Sequence, residues 1–211
     1  MSRLLVATNN PGKLAEFRRL LSTVEADVVG LAEIGIELDV PEPHDRYQAN
    51  AADKAVAACR ASGDVTLADD SGIEVATLDW GPGVRSARFA ESNARDGADL
   101  LLERLGGATD RRARMVCWLA LAVPDPDRAG GPRIELFEGV IEGTVALERR
   151  GAGGFGYDPV FESADGRTAA ELPDGEKDAR SHRGRAVAAA LPRIREVLSD
   201  RARMAAKAED A

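Results

Sequence analysis

Apolar positions along the chain switch between a strand-like and a helix-like period. Leu4-Leu5-Val6-Ala7 is a short continuous apolar run and predicts a buried strand. Leu14, Phe17, Leu20 and Leu21 then recur at helical spacing, with Glu16, Arg18 and Arg19 placed outward. Val24 to Val29 predicts a second strand, residues 31–40 a mixed connector, and Arg46 to Ser62 an alanine-rich helix stopped by Gly63. Val65 to Ala68 is strand-like again, Gly72 is read as a break, and Ile73-Glu74-Val75 resumes an extended pattern. Asn93 is placed to cap a helix that runs to Leu105, ahead of Gly106-Gly107. Arg114 to Val123 and Ile134 to Leu147 flank a Pro/Asp/Gly loop and predict a hairpin, with Gly139 and Gly143 as bulges or close approaches. Phe161 and Thr168 to Leu172 suggest more sheet. Ser181 can cap a last helix with Val187, Ala190, Leu191, Ile194, Val197 and Leu198 inward; Pro192 predicts a kink, and the tail from about 201 is expected to fray. The first half reads βαβ and the second half β-rich, with no flexible linker. The expectation is one domain over 1–211, or two lobes sharing one core.

Composition narrows the function classes. Apolar residues are 44% of the 211, enough for a core, and 28 basic against 36 acidic residues give a formal charge of −8. An acidic chain is a poor general binder of nucleic acid, whose backbone affinity comes from Lys and Arg. No stretch approaches the roughly 18 apolar residues of a membrane span, and the N-terminal apolar run is too short for a signal peptide. Cys59 and Cys117 fit no metal or redox spacing and are expected as buried thiols. The expectation is a soluble, cytoplasmic protein without nucleic-acid or membrane partners.

Three stretches carry candidate chemistry. Thr8-Asn9-Asn10-Pro11-Gly12-Lys13 joins a strand to a helix N-terminus, where backbone N–H groups, the helix dipole and a lysine suit phosphate; an ordinary Asn-capped turn uses the same residues. It is neither GxxxxGK[ST] nor GxGxxG. Asp69-Asp70-Ser71-Gly72 places two acids side by side. They can serve one site only if the strand ends there, and a hard cation such as Mg²⁺ would relieve their repulsion; an Asx-type turn is the plainer reading. Gly154-Phe155-Gly156-Tyr157-Asp158-Pro159 embeds aromatics among glycines, which suits a flat ligand or simply pins a loop. Glu42 stands between two prolines in a loop, Asn50 and Lys54 share a helix face, and His182-Arg183 opens the last helix as a plausible anion or carbonyl reader. For Asn50 and Lys54, solvent is the default direction.

In order and spacing, from residue 4 to about 198, these stretches resemble the Ham1/inosine triphosphate pyrophosphatase family, together with Pro82-Gly83-Val84, Ser86-Ala87-Arg88, Lys177 and Ser181-His182-Arg183. The resemblance implies an α/β fold with a mixed, twisted central sheet and flanking helices, two lobes and a deep nucleotide cleft. It implies a Mg²⁺-dependent homodimer that converts ITP, dITP or XTP to the monophosphate and pyrophosphate. Residue by residue, Asp70 matches the general base and a metal ligand, Glu42 a loop acid on the metal, and Asp69 stands beside them. Thr8, Asn9, Asn10, Pro11, Gly12 and Lys13 match the phosphate loop, with Ser71 adding a hydroxyl. Phe155, Gly156, Tyr157, Asp158, Lys177, His182 and Arg183 match the base-binding segment. One departure is Ala49, where the family commonly has an acid before the helix asparagine. Two rival readings remain: a Maf-like pyrophosphatase acting on other nucleotides, and a nucleotide-binding regulator that keeps the site without turnover.

Overall fold

In the computed structural model, which describes residues 2–90, 96–125 and 127–209, a seven-stranded sheet carries the site segments. Its hydrogen-bonded order is β2-β1-β3-β5-β6-β7, with β4 pairing off β3. The strands are β1 (Arg3–Val6), β2 (Asp27–Gly30), β3 (Val65–Val75), β4 (Gly81–Pro82), β5 (Arg112–Val123), β6 (Arg133–Val145) and β7 (Phe161–Glu162). β1 runs parallel to β2 and to β3, whereas β3/β4 and β6/β7 are antiparallel, so the sheet is mixed. The helices are α1 (Pro11–Leu20), α2 (Tyr47–Ser62), α3 (Gly97–Leu105), α4 (Asp174–Arg180) and α5 (His182–Glu209).

The contacts divide the chain into two compact units: Met1–Asp70 with Trp118–Glu138 and Ala186–Ala211, and Ser71–Cys117 with Gly139–Arg185. In the first, Leu5 of β1, Ala7 just beyond its end and Ala68 of β3 pack with Ala51, Ala55 and Ala58 of α2. Alanines at that helical spacing bring α2 close to the sheet, and Gly63 ends the helix in the left-handed region at φ 73°. In the second, Ile73 and Val75 of β3 form a core with Leu101 and Leu105 of α3, Met115, Tyr157 and Phe161.

Several expectations shift. β3 does not break at Gly72; it is continuous from Val65 to Val75, and Gly72 lies buried within it. The strand has successive partners, β1 opposite 65–67 and β4 opposite 74–75, so it stays extended through the glycine. Glu16 is buried rather than outward, beside the buried Phe17 on α1. The expected Asn93 cap lies outside the described residues, and Asp96 caps α3 by accepting from the Ala98 N–H at 2.8 Å. Thr168 to Leu172 gives a single bridge to Glu162 and then a 3₁₀ turn closed by a Thr168/Glu171 capping box. Gly143 is a close approach, since a Cβ there would lie 2.3 Å from the Glu162 carbonyl oxygen. α5 continues to Glu209, past the point near 201 where composition suggested fraying, and contains Pro192. Among the described residues no helix is long and apolar enough to cross a membrane.

Candidate functional site

Within the first unit the phosphate-type loop is built as its residue types dictate. Asn10 caps α1 by accepting the Lys13 amide at 3.1 Å, and Pro11 occupies the first helical turn, where no amide is needed. Thr8 Oγ1 accepts the Asn10 N–H at 3.2 Å, and Asn9 donates to the Leu38 carbonyl at 3.0 Å. Gly12 lies in that first turn, at the positive end of the helix dipole. The Lys13 ammonium meets Asp69 Oδ2 at 2.9 Å, with the Asp69 side chain only 1% exposed.

The two aspartates part company. β3 continues through them, so the strand does not end at the pair, and neighbouring side chains of a regular strand alternate in direction; the Lys13 charge nonetheless acts on both, pairing with Asp69 and lowering Asp70. Asp69 engages Lys13 from α1; Asp70 Oδ2 accepts from Asn50 Nδ2 of α2 at 2.9 Å. Burial pushes the Asp70 carboxyl above its usual range. The nearby Lys54 charge and the Asn50 hydrogen bond oppose that rise, Glu42 adds to it and Lys13 lowers it. Glu42 receives Lys54 Nζ at 2.5 Å. Asn50 and Lys54 therefore turn toward the acids rather than toward water. Their four-residue spacing gave a shared face, but no local signal gave its direction.

Among the described residues no three His, Cys, Asp or Glu side chains gather into a metal cage. Mg²⁺ needs none, since it is held by one or two carboxylates with phosphate oxygens and waters. Asp70 feels the charge of Glu42 within a buried setting that disfavours its anion, and a cation would relieve both. Asp70 and Glu42 thus fit such an ion.

The base-type cluster lies within the second unit. Asp158 Oδ2 accepts the Phe155 N–H at 2.8 Å and the Lys177 ammonium at 2.7 Å, and the Lys177 and Asp158 side chains are 6% and 4% exposed. Gly154 has φ 71°, and a Cβ there would fall 2.1 Å from Asp158 Oδ2, so both conformation and space demand glycine. The Phe155 ring has Lys177 Nζ 4.8 Å and the Arg183 guanidinium 5.6 Å from its centroid. Arg183, buried, donates to Ser71 Oγ at 2.9 Å. Ser181 caps α5 by accepting the Gly184 N–H at 2.9 Å, which sets buried His182 and Arg183 in its first turn. Gly184 is needed for close approach: its Cβ would lie 1.8 Å from the Asp178 carbonyl oxygen.

Tyr157 belongs elsewhere. It is buried in the unit's core and donates to the Ser86 carbonyl at 2.8 Å, so its ring is a packing surface and Phe155 is the aromatic grouped with the cations. Gly156, at φ 60°, joins the two with open space about it. Asp70 and Ser71 are consecutive in β3, which covalently joins the acid group to the residue that receives Arg183.

Known proteins resemble this chain in sequence and in fold. Residues 4–193 match the Ham1 family. A dITP/XTP pyrophosphatase of Symbiobacterium thermophilum is 44% identical over 200 residues, covering 94% of this chain and 98% of that protein. One from Burkholderia pseudomallei is 43% identical over 202 residues, covering 93% and 95%. Among solved structures, a HAM1 protein from Coxiella burnetii aligns with a TM-score of 0.77 at 38% identity, covering 95% of this chain and all of that one (100%). A nucleoside-triphosphatase/dITP/XTP pyrophosphatase from Mycobacterium abscessus aligns at 0.68 with 40% identity, over 90% and 99%. With the motifs in order, the mixed sheet that carries them and relatives matched over nearly their whole length, this chain belongs to the Ham1 family.

Proposed function

We propose that this chain hydrolyses non-canonical purine nucleoside triphosphates of the dITP/XTP class to the monophosphate and pyrophosphate, with Mg²⁺ as its divalent ion. The observation that carries the reading is the cluster around Phe155: an aromatic face flanked by Lys177 and Arg183. Both cations are donors only. Hypoxanthine and xanthine present a 6-keto acceptor to them, whereas adenine presents a 6-amino donor and sets donor against donor. Mismatches of that kind discriminate by about 10⁴.

The first unit supplies the phosphate chemistry. Asp70 and Glu42 would hold the ion, which when bound neutralises the clash between carboxylates and a polyphosphate of about four negative charges. Asp70 takes the proton of the water that attacks the α-phosphorus. The new P–O bond forms as the bond to the bridging oxygen breaks, and that oxygen leaves with pyrophosphate. Lys13 and the α1 N-terminus meet the charge developing on the leaving group. The part of Asp69 is to hold Lys13, by the 2.9 Å ion pair, rather than to bind the ion. On the family resemblance we extend the proposal to a cytoplasmic homodimer.

Pyrophosphate release should be measured from dITP, XTP, ITP, GTP, ATP and pyrimidine triphosphates, with and without Mg²⁺. Release from dITP and XTP far above ATP, with GTP poor and Mg²⁺ required, is the expected result. ATP hydrolysed as well as ITP would remove the donor-only cluster from base choice. Pyrimidine preference would favour the Maf-like rival, and nucleotide binding without products the regulator. Sedimentation velocity checks the dimer: a lone monomer at micromolar concentration would overturn it.

A further inference from the structure

Asn50 is fully buried on α2, and its amide is used from both ends. Oδ1 accepts the His44 N–H at 3.1 Å, and Nδ2 donates to the His44 carbonyl at 3.3 Å. Nδ2 also donates to Asp70 Oδ2 at 2.9 Å. An amide nitrogen carries two hydrogens, so one neutral side chain meets a backbone donor, a backbone acceptor and a buried carboxylate at once.

His44 belongs to the segment 41–45, which has no regular secondary structure and carries Glu42 between Pro41 and Pro43. That segment is fastened to α2 at two further points. Lys54 reaches Glu42 at 2.5 Å, and His44 Nε2 lies 2.8 Å from Asp53 Oδ2. The His44–Asp53 pair is 41% and 55% exposed, and solvent weakens it. Asn50 is the buried fastening. Its other end lies on Asp70, at 2.9 Å.

We propose that Asn50 is a positioning residue that locks the Glu42-bearing segment and Asp70 into one arrangement. The inference rests on the reading of Glu42 and Asp70 as the working carboxylates. Residue chemistry explains the choice of side chain. A buried carboxylate needs a donor, but a lysine or arginine there would cancel the negative charge that a divalent ion requires. An aspartate would repel Asp70. A serine or alanine could not bridge to the backbone of 44 and to β3 together. Only an amide gives donor and acceptor without net charge, and at position 50, four residues before Lys54, it reaches Asp70 while Lys54 reaches Glu42.

Two variants separate the two ends of the amide. Asn50→Asp keeps the oxygen that accepts the His44 N–H but replaces the nitrogen, which donates to Asp70 and more weakly, at 3.3 Å, to the His44 carbonyl, with an oxygen that repels Asp70. Asn50→Ala removes both. Hydrogen exchange of the His44 amide in nucleotide-free protein reads the segment without reference to activity. Steady-state dITP hydrolysis with Mg²⁺ reads Asp70. In Asn50→Asp, His44 protection should stay within threefold of the parent while kcat falls at least tenfold and KM for dITP changes less than threefold. In Asn50→Ala, His44 exchange should accelerate at least tenfold as well. If Asn50→Ala does not fold, Asn50→Asp decides alone. The proposal is overturned if Asn50→Asp loses His44 protection, keeps kcat within tenfold, or loses activity through KM; it is equally overturned if a folded Asn50→Ala keeps that protection. Failure of the parent chain to release pyrophosphate from dITP would instead remove the underlying reading, leaving the exchange result to stand on its own.

Discussion

Replacing Lys177 with methionine isolates what the buried ion pair contributes. The ammonium lies 2.7 Å from Asp158 Oδ2, with the two side chains 6% and 4% exposed. Methionine keeps most of the volume but leaves the carboxylate stranded. Breaking one partner of a buried pair costs about 3–5 kcal/mol. Asp158 retains the Phe155 N–H at 2.8 Å, which places the expected loss at the low end, about 3 kcal/mol. For a chain of this size each kcal/mol moves Tm by about 2–4 °C, so the variant should melt about 6–12 °C lower. Asp158→Asn can still accept the Phe155 N–H while removing the charge. The double variant should therefore recover much of the loss, with a coupling of about 2 kcal/mol in the cycle. Urea unfolding of the four proteins, followed by far-ultraviolet circular dichroism, measures each corner. A loss below about 1 kcal/mol for Lys177→Met is what a solvent-screened pair would give, and it would refute the buried-pair argument. On the proposed base-reading role of Lys177, the same variant should also narrow the dITP-to-dATP ratio of kcat/KM.

Other outcomes follow from the same geometry. Asp70→Asn should fold and bind nucleotide yet lose several orders of magnitude in turnover; near-normal kcat would remove Asp70 from the mechanism. Its stability has a testable sign. The Asp70 carboxyl is raised in the folded state by burial, so its contribution is fully favourable below the unfolded-state value and is lost as pH rises through the folded one. Metal-free Asp70→Asn should thus be more stable than the parent at pH 7, with the advantage fading as pH falls through the raised folded-state value and gone below about 4; urea titrations at pH 7 and below about 4 check it. Gly184→Ala would drive a methyl to 1.8 Å from the Asp178 carbonyl, which only backbone movement relieves. A stability loss of about 1–3 kcal/mol is expected, with base discrimination reduced as Arg183 shifts. Lys13→Ala should lower both stability and kcat, since it leaves Asp69 without its ammonium; unchanged melting would show that the pair contributes nothing to the fold.

Much of this architecture is written in local pattern. The apolar run at β1, the Asn10 cap with Pro11, the Gly63 stop and the Ser181 cap each follow from one or two residues acting on their neighbours. The misreadings arise where the deciding partner is distant in sequence. Gly72 looks like a strand break until the successive pairings of β3 with β1 and β4 are known. Phe155 and Tyr157 are equivalent by spacing; the Ser86 carbonyl, 71 residues away from Tyr157, draws one of them into the core. Asn50 and Lys54 mark a helix face, but the partners that give it a direction lie on β3 and on the 41–45 segment. Lys177 was legible only through resemblance. Its buried partner Asp158 lies 19 positions earlier, and the seven-residue helix that bears it has too few turns for a clear period.

The way Asp158 gathers the Phe155 amide and the Lys177 ammonium, with Gly154 pressed against it, bears on how relatives could drift toward other nucleotides. A frame anchored at one carboxylate tolerates few changes to the anchor or to the glycine beside it, because either would displace ring and cation together. Altered purine preference should therefore arise by exchanging side chains displayed on the frame, Phe155 above all, while 154 and 158 stay constant.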